Sequence, residues 1–207
     1  MTDLELFLYL LPILLASMTL HELAHAYVAT RMGDPTPRDE GRLTLNPIAH
    51  LDPLGTAMFG ITYFLSSFVF GWAKPVLVDP LYFRRPQQQM ALVALAGPVV
   101  NFLIALAFVG VLVHGDLGGD AFDVAVLAYQ VNLVLGIFNL IPIPPLDGSR
   151  VVGAFMRDAT YARWSGLDQY GMLAIFGLIV VFRDEFDQVM GSAFDHSTRI
   201  MVELVGG

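Results

Sequence analysis

Residues 4–32 form a predominantly apolar run long enough to cross a bilayer. A segment immersed in hydrocarbon finds no water for its backbone N–H and C=O groups, so it must bond to itself as a helix. Further apolar stretches lie at residues 54–71, 90–114, 124–140 and 172–182. The chain is 56% hydrophobic and 14% charged, whereas a soluble domain carries about 25% charged residues. These runs imply an all-α polytopic membrane protein with about four to five transmembrane helices. The segment 54–71 is short for a crossing and is expected to be re-entrant, with Gly55, Gly60, Ser66 and Ser67 easing the bend. Short β-strands are expected near 41–46 and 74–79, from polar–apolar alternation and from the limits that Pro75 and Pro80 impose on the second. The N-terminus opens with acids and lacks a small-residue cleavage site, so it reads as part of a mature spanning helix. No repeat or insert divides the chain, and residues 1–207 are expected to form one membrane-embedded domain.

Charge narrows the partners. The net charge is −8, with one lysine against ten arginines. No basic stripe exists to meet a phosphate backbone, so no nucleic-acid partner is expected. Nine of the eleven basic residues fall in three segments: Arg31, Arg38 and Arg42; Lys74, Arg84 and Arg85; Arg150, Arg157 and Arg163. If 54–71 enters and leaves on one side, all three segments share a side, which the positive-inside rule makes cytoplasmic.

Against this apolar background one motif stands out. T-L-H-E-L-A-H places His21, Glu22 and His25 inside the first spanning helix, where ionisable groups are costly and need a functional account. Positions i and i+4 share a helix face, so His21 and His25 can point two imidazoles at one ion. Glu22 sits beside that face, where it can reach a metal-bound water without ligating. Cysteine is absent, so a metal here uses histidine and carboxylate. A catalytic zinc takes a third protein ligand, for which His50, His114, His196 and a membrane-level carboxylate are candidates. Asp147 is favoured. It follows I-P-I-P-P-L, whose Pro142, Pro144 and Pro145 forbid regular helix and leave the chain unwound at depth.

H-E-L-A-H, G-P-V-V-N at Gly97 to Asn101 and N-L-I-P-I-P-P-L-D-G from Asn139 to Gly148 together resemble the site-2 protease family of intramembrane zinc metalloproteases (peptidase family M50). G-R-L-T-L-N-P-I-A-H-L-D-P and F-G-W-A-K-P-V further look like the compact branch without a PDZ domain. The resemblance implies one zinc ion per chain on His21, His25 and Asp147, with Glu22 as general base and a catalytic centre toward the cytoplasm. It implies as substrates anchored transmembrane proteins or remnant signal peptides, cut at peptide bonds in or near their membrane segments. Asn101 and Asn139, amides in apolar helices, are candidates to bind substrate or the oxyanion, and His50 is a possible near-site residue. The alternative is a metal transporter or scaffold without proteolysis, against which Glu22 speaks, since transport requires ligands but no adjacent base.

Overall fold

Proline punctuation and apolar length set the helices of this chain. The computed structural model describes residues 2–65 and 69–206. Helix α1 (Asp3–Arg31) opens on a capping box, Thr2 Oγ1 accepting from the Glu5 N–H while Glu5 Oε2 accepts from the Thr2 N–H. Short α2 (Thr36–Asp39) follows, then α3 (Pro53–Leu65), a 13-residue apolar helix. Helix α4 (Pro86–His114) starts on proline, where its missing N–H costs nothing, and continues through Pro98. A five-residue link joins it to antiparallel α5 (Asp120–Asn139). Beyond Pro142, Pro144 and Pro145 come α6 (Asp147–Gly153), α7 (Asp158–Ser165), α8 (Asp168–Val181) and α9 (Arg183–Leu204).

Among the described residues, α1, α4 and α5 are each long and apolar enough to span a membrane. Helices α7 and α8, bent by 63°, make a fourth if they act as one broken span, the low end of the expected number. The protein is an integral membrane protein.

The segment 54–71 starts as helix α3, and beyond residues 66–68, which lie outside the described residues, Phe70 sits back against that helix. Thr62 Oγ1 bonds both the N–H and the carbonyl of Phe70, and Leu51 forms an antiparallel bridge with Ala73. Lys74 N–H donates to the His50 carbonyl at 2.9 Å. Both ends of the excursion therefore meet on one side. Gly55 and Gly60 lie within α3, and Ser66 and Ser67 lie outside the described residues.

The two expected strands do not form. Among the described residues the only β pairing is the Leu51–Ala73 bridge. Around 41–46 the Thr44 carbonyl is bonded by His50 and the Asn46 N–H donates to Thr44 Oγ1, which bends the chain. Along 74–79, carboxylates take the backbone donors: Val76 N–H goes to Glu22 and Asp79 N–H to Asp34. Pro75 lacks a donor as well, and among the described residues no second strand pairs with this segment.

The core lies where α4, α5 and α9 meet, around Ala105, Val109, Tyr129, Leu133 and Met201. Helix α9 runs antiparallel to α5, from Phe186 against Phe138 to the Val205 carbonyl at His114. Leu133 is fully buried. Leu133→Ala is expected to cost about 2 kcal/mol, the low end for such a truncation, because apolar surroundings persist after unfolding and only packing is lost. Unfolding in mixed micelles measures it.

Candidate metal centre

Four elements converge on the H-E-x-x-H turn. Helix α1 carries His21 and His25 on one face, both buried. Asp147 is the first residue of α6, brought back against α4 by the proline-broken chain after α5. The reversal is tight: a Cβ on Gly148 would collide with the Leu140 carbonyl, so only glycine fits after the aspartate. Asp147 Oδ2 lies 3.2 Å from His21 Nε2 and 3.4 Å from His25 Nε2. One ligand atom from each residue falls within 4.8 Å of the others.

The donor set fits a divalent cation. His25 Nδ1 lies 2.7 Å from the Val93 carbonyl, which can only accept, so the proton sits on Nδ1 and the Nε2 lone pair faces Asp147. His21 Nδ1 lies 2.6 Å from Asn101 Oδ1. Asp147 Oδ2 is buried and has no hydrogen-bond partner. Tetrahedral zinc with bonds near 2.05 Å requires ligand atoms about 3.3 Å apart, matching the two separations to the carboxylate. Space is kept by Gly97 of α4, whose hydrogen faces the rings: a Cβ there would lie 2.5 Å from Nε2 of both His21 and His25.

Glu22 stays outside this triad. Its Oε2 accepts from the Val76 N–H at 3.1 Å, so the non-helical segment 74–79 borders the site. That segment is tied down by buried groups. Asp34 Oδ2 accepts from the Asp79 N–H at 2.8 Å, and the Arg42 guanidinium donates to the carbonyls of Ala49 and Lys74. Arg42→Ala strands those carbonyls and is expected to cost about 3 kcal/mol, two charge-assisted bonds of moderate strength, read as a lowered unfolding midpoint.

The other residues singled out in the sequence separate. His50 is buried, bonded at Nε2 to the Thr44 carbonyl, and braces the loop that Arg42 stitches. His114 bonds the Val205 carbonyl at the far end of α4, and His196 is exposed on α9. None of the three joins the triad among the described residues. Asn101 sits behind His21, with its amide N–H directed at Asn132. Asn139 donates to the Leu135 carbonyl of its own helix at 2.9 Å. Sequence reasoning missed Val93 and Asn132, and it read Val76 as part of a strand edge beside the site without its bond to Glu22. Val93 and Val76 act through backbone groups that no side-chain pattern reveals; Asn132 carries the same signal as Asn101 and Asn139, an amide in an apolar helix.

Fold and site together define a helical membrane protein in which two histidines and one carboxylate could hold a metal ion, beside a glutamate. The model of Peptidase family M50 matches residues 117–182. YwhC of Bacillus subtilis, a candidate zinc metalloprotease, is 41% identical over 86% of this chain and 82% of its own length. Rip2 of Mycobacterium tuberculosis, likewise a candidate zinc metalloprotease, is 30% identical over 81% of this chain and 64% of its own. Zinc metalloprotease MJ0392 of Methanocaldococcus jannaschii is 28% identical over 70% of this chain but only 33% of its own. No solved structure matches. The chain belongs to peptidase family M50 and is a membrane-embedded zinc metalloprotease.

Proposed function

We propose that residues 1–207 work as one membrane-embedded domain that hydrolyses peptide bonds in or near the transmembrane segments of anchored proteins or remnant signal peptides. The observation that carries this reading is the convergence of His21, His25 and Asp147 within a spanning bundle, with Glu22 alongside. His21, His25 and Asp147 hold the zinc. Bound there, zinc polarises a carbonyl and makes a water acidic near neutral pH. Glu22 accepts the proton of that water and returns it to the leaving amine. Val76 N–H holds one oxygen of the Glu22 carboxylate and keeps it aimed. Asn139 has a second amide N–H to offer the oxyanion, and His50 serves by shaping the loop.

A helical substrate hides its scissile amide in its own hydrogen bonds and must unwind first. The non-helical segment 74–79 offers backbone next to Glu22 against which an unwound peptide can lie. Both ends of the α3 excursion meet and Gln87 bonds Asp158, which supports a common end of the bundle for the basic segments around Arg31–Arg42, Lys74–Arg85 and Arg150–Arg163. Their shared charge supports a cytoplasmic position for that end and the catalytic centre near it.

The test uses the purified full chain in liposomes with a model transmembrane peptide. Cleavage that a zinc chelator abolishes and added zinc restores is expected, with one zinc per chain in the wild type and little in Asp147→Ala by elemental analysis. Zinc flux into the vesicles without peptide cleavage would establish a transporter instead.

A further inference from the structure

Behind the metal centre runs a chain of buried polar side chains that the hydrolytic steps do not use. Asn101 on α4 and Asn132 on α5 are 0% and 1% exposed, and Ser17, one turn before His21 on α1, is 3% exposed. Asn101 Nδ2 donates to Asn132 Oδ1 at 2.9 Å. Asn132 Nδ2 donates to Ser17 Oγ and to the Ala128 carbonyl, each at 2.9 Å.

A side-chain amide has nearly the same shape when turned over, so its direction must be imposed by its partners. The Ala128 carbonyl can only accept, which holds Nδ2 of Asn132 on its side and turns Oδ1 toward α4. That oxygen also only accepts. It draws Nδ2 of Asn101 and leaves Asn101 Oδ1 against His21 Nδ1, 2.6 Å away. His21 therefore carries its proton on Nδ1, and Nε2, the atom aimed at Asp147, keeps its lone pair. With the Asn101 amide reversed, the proton would move to Nε2, and a protonated ring nitrogen cannot ligate a metal.

We propose that Asn132 is a positioning residue of the metal centre: anchored on the Ala128 carbonyl, it sets the direction of the Asn101 amide and, through it, the tautomer of His21. The inference rests on His21 being a zinc ligand. The competing account is that Asn132 merely bonds α5 to α1 and α4, as polar residues in membrane helices commonly do.

The experiment measures zinc affinity of the full chain in detergent, by competition with a chromophoric chelator. Asn132→Leu is expected to weaken zinc about 10–100-fold, the usual cost of losing an outer partner of a metal ligand. Asn132→Ser, a smaller change whose hydroxyl rotates freely, is expected to do the same and serves if the leucine variant fails to fold. Asn101→Asp removes the need for direction, because either carboxylate oxygen accepts from His21. In that background the Asn132 substitutions are expected to change affinity less than about threefold, the signature of two coupled sites. Equal losses in both backgrounds would overturn the proposal and leave a packing role. Ser17→Ala retains the Ala128 anchor and is expected to bind zinc within about threefold of wild type, since the direction of the relay survives. His21→Ala separates the two readings. Undiminished zinc binding there sinks the metal centre itself, whereas loss there with full affinity in Asn132→Leu sinks only the positioning role.

Discussion

Glu22→Gln is expected to bind zinc as tightly as the wild type and to cleave about 10²–10⁴-fold more slowly, the usual contribution of a positioned acid–base group. Structure argues that the variant stays intact. The glutamine carbonyl oxygen can accept from the Val76 N–H just as Glu22 Oε2 does, so segment 74–79 keeps its tether. None of the triad bonds involves Glu22, so the zinc site is unchanged. The loss should fall on kcat, because an amide cannot take a proton from water. Zinc content from elemental analysis and single-turnover cleavage of a transmembrane peptide check the two halves separately. Cleavage at the wild-type rate would remove Glu22 from the mechanism and favour another base.

A second large effect is expected from one methyl group. Gly97→Ala places a carbon 2.5 Å from Nε2 of both His21 and His25, the atoms that face Asp147. The rings cannot swing away cheaply, because each is pinned at Nδ1, to Asn101 and to the Val93 carbonyl. Nor can α4 withdraw, since it packs against α1, α5 and α6 together. Zinc affinity is expected to fall at least about 100-fold, equivalent to ~2.7 kcal/mol, with cleavage lost in parallel. Gly110→Ala on the same helix is the control. Its Cβ would meet only Val205, at 4.0 Å, and should leave zinc binding unchanged. Unaltered affinity in Gly97→Ala would show that the ion sits elsewhere.

These expectations differ in how far the sequence alone supported them. The spanning helices were legible because apolar length in hydrocarbon leaves the backbone one solution, and α1, α4 and α5 begin and end within a few residues of the expected places. The histidines were legible as an i, i+4 pair, and Asp147 because proline breaks the helix before it. The strands at 41–46 and 74–79 were misread for a physical reason. Alternation reports which side chains face apart, but ladder formation depends on free backbone groups: along 74–79 Glu22 and Asp34 capture two donors from a distance in sequence, and at 41–46 bonds to Thr44 bend the chain. The G-P-V-V-N motif was visible without its meaning. That Gly97 clears room for two imidazoles depends on how closely α4 approaches α1, which no single-chain pattern encodes. The bend between α7 and α8 was equally hidden: the run looked short because Asp168, the helix start, lies before the apolar residues.

The proposed metal centre would draw two ligands from α1 and the third from α6, which follows α4 and α5 along the chain. During synthesis His21 and His25 thus emerge from the ribosome well before Asp147, and a nascent chain that ends at α5 has only two of the three candidate ligands. On the proposed ligand set, full coordination of zinc has to await the formation of α6.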